Sequence, residues 1–563
     1  MSIPAENKNR QYTVGLDFGS LSARAVLMDI SDGSVAASCV YPYPHAVLST
    51  ALPDGTALPP DWALQVPADY TDALRVLLPR LLSESGVDGG QVLGIGLDVT
   101  STTMLPLTAE GRPLCELEEY ASNPHAYIKM WKHHAAQSQA ERIEALARQE
   151  EAAWLSQFGG SISGEHFLPK AAQIAEEAAG LYQACGRLCE VGDWLVWELT
   201  GQESRGYCAA AYKTYYNSAD GDVSAEFLAR VSPLLRTLDH KLPRPVVKPG
   251  DAAGTLSEEW AALTGLKAGI PVSAAGVDAH VTAIGCRTVE DGDALLIVGT
   301  STCVIMLGRE YREVAGLNGV VPEGIVPGLN AYEGGQAAVG DMFAWFCENC
   351  VPESYVLQAR QQGMDIQQYL STLAAKRKPG ESGLVALDWI NGVRSTLMNF
   401  ELSGLVMGMT MDTAPEDIYR ALFESSAFGA WKILKATIDE GVKIERVWAS
   451  GGIPLKNPLL MQIYADVFNM EINVVDEPYS AALGSAIMAQ AASVGGGFAG
   501  LSGLCGRRSC HRGPVYRPDE KNAAVYRQLF EIYSELYERF GRESDSMKKL
   551  RRLRDKARSA FPY

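Results

Sequence analysis

YTVGLDFGSLSARAVLMD, residues 12–29, is the stretch whose reading decides the fold. An apolar strand over Thr13–Asp17 runs into the small turn Gly19-Ser20, and a second apolar strand follows over Ala23–Asp29. A buried strand needs no carboxylate at its end. Asp17 therefore either closes an Asx-type turn on its own backbone or holds something at the turn. Small turn residues leave backbone N–H groups open to an anion and let phosphate oxygens come close. Such turns also close many ordinary hairpins.

The same arrangement returns nearly half a chain later. In ALLIVGTSTCVIMLG, residues 294–308, a strand over Asp293–Val298 meets the turn Gly299-Thr300-Ser301 and continues as a strand over Thr302–Leu307. Two copies at this distance indicate a duplicated domain rather than a solenoid. Around the first copy, a helix at about Tyr70–Ser85 and a strand at Val92–Asp98 argue for α/β layers. Residues 42–67 are Pro-rich without periodicity and read as a surface excursion. Residues 135–157 and 168–183 read as helical, and strand-and-turn patterning resumes at Val272–Ala275. Thr413-Ala414-Pro415-Glu416 fits a capping box that opens a long helix with Ile418, Leu422, Trp431, Leu434 and Ile438 on one face and a stop at Gly441. Past Gly495, the charged stretch Glu520–Arg558 reads as an amphipathic, peripheral helical tail.

At 563 residues the chain exceeds one core, so two large domains are expected. A net charge of −18 offers no basic field for nucleic acid or an anionic membrane. No apolar run approaches the roughly 18–20 residues of a membrane span. The opening MSIPAENKNRQ lacks an apolar leader core, so a cytoplasmic protein is expected. Eleven scattered cysteines suit free, buried thiols. Cys347-x-x-Cys350 could bind zinc, with Cys505, Cys510 and His511 as the candidate second ligands. It follows the apolar helical run Met342–Phe346, which favours packing.

No G-x-x-x-x-G-K-[ST] occurs, and no convincing G-x-G-x-x-G follows a strand. The two hairpin turns could instead clamp a polyphosphate between them, with Asp17 holding Mg²⁺ through water. Asp278, in SAAGVDAHVTAIG (residues 273–285), ends another strand. It suits a general base that orients a hydroxyl for in-line attack on a γ-phosphate, and equally a helix N-cap.

In this order the motifs resemble the FGGY family of carbohydrate kinases over roughly residues 12–492. GLDFGS (15–20) and VGTST (298–302) are similar to its phosphate hairpins, and GVDAH (276–280) to its catalytic-aspartate segment. ASGGIPLKNPLLMQIYADV (449–467) resembles its adenosine loop, and residues 404–429 its C-terminal signature, with Leu422 where a smaller residue is commoner. GEHFLPKAAQI (164–174) matches the N-terminal signature loosely. The resemblance implies an α/β fold of two actin-like ATPase (ribonuclease H-like) domains with a cleft between them. They would span 12–285 and 286–495, with a helical tail at 496–563.

It also implies ATP and Mg²⁺ as cofactors. Asp278 would be the base and Asp17 would place the metal. Gly19, Ser20, Thr300, Ser301, Gly340, Gly452, Lys456 and Asn457 would line the nucleotide. GLDVTSTTMLP (96–106), CAAAYKTYYN (208–217) and YEGGQAAVGDMFAWF (332–346) are similar to the ribulokinase branch. By that match Asp98, Thr100, Lys213, Asp278 and Glu333 would meet a ketopentose, a ribulose phosphorylated at its 5-hydroxyl. Weighed alone, Lys213 reads as a snorkelling surface residue and Glu333 as a turn carboxylate. Monomer and homodimer both fit this sequence.

Overall fold

The computed structural model describes residues 10–506 and 512–560. Cys510 and His511, two of the candidate zinc ligands, lie outside the described residues. The chain forms two compact units. Unit 1 takes the residues up to Val289, Val321–Ala331 and those from Tyr479 to Gly506; unit 2 takes Glu290–Val320, Tyr332–Pro478 and the residues from 512 on.

Unit 1 is built on strands β1 (Tyr12–Phe18), β2 (Ser22–Asp29), β3 (Val35–Pro42), β4 (Val92–Val99), β5 (Ala252–Thr255), β6 (Pro271–Ser273) and β7 (Gly276–Val277). They lie in the order β5-β6-β4-β1-β2-β3, with β7 paired to β4. β1 and β2 form the antiparallel hairpin expected from residues 12–29, and β4 runs parallel to β1. All seven residues of β1 are buried, which explains its near-continuous apolar sequence. Helix α1 (Pro67–Ser85) packs Tyr70, Leu74, Leu77 and Leu81 into the core of β1 and β4.

The helix Ser480–Gln490, labelled α10 below, lies against β1 and β4 so closely that only glycine fits beneath it. A Cβ on Gly15 would sit 1.8 Å from the Ala482 carbonyl oxygen, and one on Gly96 2.0 Å from that of Ser485. The small residues of SAALGSAI make this approach possible from the helix side. The contiguous division expected from the sequence thus differs from the partition by contacts. α10 follows the second hairpin in sequence yet folds on the first sheet.

Residues 42–61 run largely along the surface, as expected, but the segment is pinned to the interior. Leu52, Trp62 and Leu64 are buried in a second core of unit 1, against the helices Gln137–Gln149 and α2 (Phe167–Glu177). Proline and turn residues hid the segment's three anchors from any periodicity test.

Unit 2 repeats the plan with β8 (Asp293–Val298), β9 (Thr302–Gly308), β10 (Gly319–Pro322), β11 (Asn330–Gln336), β12 (Arg446–Ser450), β13 (Ile472–Val475) and β14 (Arg512–Tyr516), ordered β10-β11-β9-β8-β12-β13-β14. An antiparallel hairpin, β8–β9, again has a parallel strand, β12, beside its first member. The duplication read from two turns is therefore a duplication of sheet topology.

Helix α7 (Pro415–Asp439) starts one residue later than the expected capping box. The Ala414 N–H donates to Asp417 Oδ2 at 2.9 Å, while Thr413 Oγ1 accepts from Thr410 N–H. Pro415 then takes the first helical position, where its missing N–H costs nothing. The C-terminal stretch is also corrected. Helix α11 (Glu520–Glu538) is not peripheral, for Tyr526, Tyr533 and Tyr537 are buried in the core of unit 2. Its charged residues had masked a tyrosine stripe. Only α12 (Ser546–Ala560) is largely exposed, with Leu550 and Leu553 among the exposed apolar residues. Among the described residues no helix is long and apolar enough to cross a membrane.

Candidate active site

In unit 1 the carboxyl ends of β1, β4 and β7 gather three aspartates. Asp17 and Asp98 are register partners across β1 and β4, and Gly276 pairs with Asp98 across β7. Asp278 follows directly as the first residue of helix α5 (Asp278–Gly285). Ligands in α/β sheets bind beyond such strand ends.

Asp17 closes no Asx turn. Its Oδ2 accepts from Arg24 Nη1 at 2.9 Å, across the hairpin where the two residues are register partners. Burial raises its carboxyl above the usual range, and the Arg24 guanidinium works against that rise. Asp98 is fully buried and accepts from Ser485 Oγ at 2.7 Å. Burial first, then the Asp17 charge and, further down, that of Asp278, push its carboxyl well up. Asp98 Oδ1 is buried without a hydrogen-bond donor. Two carboxyls side by side with one orphaned oxygen fit a cation or a shared proton. Among the described residues no group of three or more His, Cys, Asp or Glu side chains forms a metal cluster. Hard carboxylate oxygens of this kind suit Mg²⁺ that keeps most of its waters.

Asp278 is only partly buried, and its Oδ1 accepts from the Ala279 N–H at 2.7 Å. That bond holds the carboxyl at the helix start; the N-cap position is Val277, so Asp278 is the first helical residue rather than the cap. On the strand-end side, Thr100 Oγ1 bonds Thr103 Oγ1 at 2.8 Å, and the Thr100 N–H donates to the Phe18 carbonyl at 3.2 Å.

Lys213 is no surface residue. It is 4% exposed, at the end of helix α4 (Tyr207–Lys213). That helix is anchored from α3 (Val191–Thr200), where Asp193 Oδ1 accepts the Gly206 N–H at 2.7 Å. Burial pushes the Asp193 carboxyl up to about 8, with the Gly206 bond opposing. The folded protein then holds this proton where the unfolded chain, with an ordinary carboxyl, has lost it. Stability from this group falls as pH rises from about 4 to about 8. Denaturant midpoints measured at pH 5 and pH 8 should differ less in Asp193→Asn than in the wild type. An unchanged difference would remove Asp193 as the source.

In unit 2, Gly299 N–H donates to Ser301 O at 2.9 Å, leaving Gly299 and Thr300 exposed at the hairpin tip. The N-terminus of α6 (Gly340–Asn349) is bound to this hairpin: Val339 N–H donates to Thr300 O at 2.8 Å and Gly340 N–H to Gly299 O at 3.0 Å. A Cβ on Gly340 would lie 2.6 Å from that Gly299 oxygen. Gly452 opens the short helix α8 (Gly452–Lys456) with free space where a side chain would be, and Lys456 is exposed. Asn457 is engaged in the fold. Its Oδ1 caps α9 (Pro458–Phe468) through Leu460 N–H at 3.1 Å, and its Nδ2 donates to Ser371 Oγ at 3.3 Å. Glu333 lies within β11 rather than in a turn, 8% exposed, and Oε1 accepts from Asn318 Nδ2 at 3.2 Å. Cys347 is buried in α6, where burial raises its thiol to about 11, and Cys350 is exposed.

The supporting residues were missed from sequence. Arg24 had a signal, since it faces Asp17 once the hairpin register is drawn. Trp131, whose Nε1 donates to Ser20 Oγ at 2.9 Å, and Ser485, 387 positions from Asp98, had none.

The FGGY family of carbohydrate kinases matches this chain in two models, its N-terminal domain over residues 12–285 and its C-terminal domain over residues 294–493. A ribulokinase of Bacillus licheniformis is 44% identical over 539 residues, covering 95% of this chain and 98% of the relative. One from Mycolicibacterium smegmatis is 44% identical over 551 residues, covering 97% of each chain. The crystal structure of a xylulose kinase from Rhodospirillum rubrum has a TM-score of 0.76 at 24% identity, over 94% of this chain and 98% of that one, a likeness of fold.

Proposed function

Because the chain belongs to the FGGY family of carbohydrate kinases, we propose that it transfers the γ-phosphoryl group of ATP to the 5-hydroxyl of ribulose, L-ribulose first among the stereoisomers. The products are ribulose 5-phosphate and ADP. The observation that carries the substrate is the 44% identity to ribulokinases along 95–97% of the chain.

Asp278 accepts the proton of the 5-hydroxyl and aims its oxygen at the γ-phosphorus, a positioning and base contribution of roughly 10²–10⁴-fold. Lys213, Thr100 and Glu333 meet the other hydroxyls, donor and acceptors together. A site of such groups discriminates against sugars that leave one of them unpaired. Ser20 in unit 1, and Thr300 and Ser301 in unit 2, offer hydroxyls to the nucleotide; Gly19 and Gly452 leave room for its approach, Gly340 seats α6 on the Gly299 turn, and Lys456 and Asn457 lie at its periphery. Asp17 holds Mg²⁺ through water, with the buried Asp98 behind it, and the ion neutralises charge on the phosphates. Asp98 therefore supports the metal side of the site more than the sugar. The cytoplasm is the compartment we assign.

A coupled ADP-release assay over L- and D-ribulose, xylulose, gluconate and glycerol tests the substrate. Turnover highest on L-ribulose is expected. Turnover confined to xylulose or glycerol would sink the ribulose reading, and none on any sugar would sink the kinase reading.

A further inference from the structure

We propose that Lys170, outside every role assigned above, is a positioning residue that braces the acceptor loop after β4 and ties it to the Met130-Trp131 segment that supports the first phosphate hairpin. The proposal rests on the reading of Thr100 as part of the sugar site.

Lys170 projects from α2 and is fully buried. Its Nζ donates to the Thr102 carbonyl at 2.6 Å and to the Met130 carbonyl at 2.9 Å. Thr102 is itself buried and has φ of +50°, a left-handed backbone that a β-branched residue rarely adopts. That kink turns the chain so that Thr103 Oγ1 reaches the Thr100 carbonyl at 2.7 Å and the Thr100 hydroxyl at 2.8 Å. Such a conformation persists only where its surroundings over-determine it, and the Lys170 bond fixes the Thr102 carbonyl itself from outside the loop. The second arm reaches Met130, whose neighbour Trp131 donates to Ser20 Oγ at 2.9 Å. One ammonium group thus sets the loop carrying Thr100 relative to the support of the Gly19-Ser20 turn. Burial lowers the Lys170 ammonium to about 7, with the Glu190 and Glu165 charges opposing, and both protonation states keep N–H donors for the two carbonyls. The Val191 N–H, next to Glu190, donates to the Thr103 carbonyl at 2.7 Å and holds the far side of the same loop.

Lys170→Met keeps the length of the stem and removes the donors. It should raise the sugar KM at least tenfold and lower sugar kcat/KM at least 30-fold, with the ATP KM changed less than threefold. Thr102→Gly in the Lys170→Met background should recover at least fivefold of sugar kcat/KM, because glycine adopts positive φ without a brace. Sugar kinetics within twofold of wild type in folded Lys170→Met would overturn the proposal. So would equal rises in both KM values, or no recovery in the double variant. Failure of both variants to fold would overturn it too, by making Lys170 a core residue of the unit. Wild-type turnover is measured first. Its absence on ribulose counts against the substrate assignment, while the brace is read as a ratio on whichever sugar the wild type phosphorylates.

Discussion

Asp278→Asn should lower kcat by about 10²–10⁴-fold while leaving sugar and nucleotide affinity within a few fold of wild type. The carboxamide keeps an oxygen where Asp278 Oδ1 accepts the Ala279 N–H, so the start of α5 is undisturbed. It cannot accept a proton at neutral pH. The loss therefore falls on the chemical step, and KM for both substrates should stay nearly constant. Steady-state kinetics with calorimetric binding of the sugar separates the two. A kcat within about fivefold of wild type would remove Asp278 as the base and leave it as a helix-start residue.

The second large effect concerns the C-terminal helices. A chain stopped after Asp519 should fail to give soluble, folded unit 2, whereas one stopped after Glu543 should remain folded and active. The asymmetry follows from the tyrosines of α11. Tyr526 accepts from Arg420 Nη2 at 2.7 Å and donates to Glu424 Oε1 at 3.0 Å, completing a buried ion pair. Tyr533 donates to the buried Asp388 at 2.9 Å, and Tyr537 shares a 2.9 Å bond with Thr396 Oγ1. Removing them leaves polar atoms of the buried Arg420, Glu424 and Asp388, and of Thr396, short of one hydrogen-bond partner each, which costs about 1–3 kcal/mol for each group and more where it is charged. Lost aromatic burial adds to that, against a total stability of about 5–15 kcal/mol for a domain. Tyr533→Phe alone should cost about 1–3 kcal/mol in denaturant unfolding. Removing α12 forfeits little, since nearly all of it is exposed. Soluble yield, circular dichroism and turnover of both truncations decide the matter. A folded, active chain ending at Asp519 would refute the structural role of α11.

Several features were readable in residues 12–29 and 294–308 because they are local. Alternation, turn size and strand length specify a hairpin without reference to the rest of the chain. So Asp17, Gly19-Ser20, Thr300-Ser301 and the doubled plan of the sheets could be read directly, and Asp278 stood out as a carboxylate at a strand end. The cap of α7 was misplaced by one residue because Asp417 and Glu416 offer the same carboxylate chemistry one position apart.

Other features depended on which distant groups come to rest together, and sequence carries no local mark of that. The orphaned Asp98 oxygen, the Ser485 hydroxyl beside it, the burial of Lys213 and the bond of Lys170 to a left-handed Thr102 arise only when separate segments meet in unit 1. The allegiance of α10 to the first sheet follows from Gly15 and Gly96 giving it room, a complementarity between glycines and a small-residue helix about 390 to 470 positions away. The tyrosine stripe of α11 is apolar only on the face that α7 covers. Sequence by itself determined the local hairpins and the repeated architecture, and it singled out the candidate carboxylates. Tertiary structure alone decided which of those groups are buried, paired and held, because desolvation and hydrogen-bond partnership belong to the packed molecule rather than to the chain.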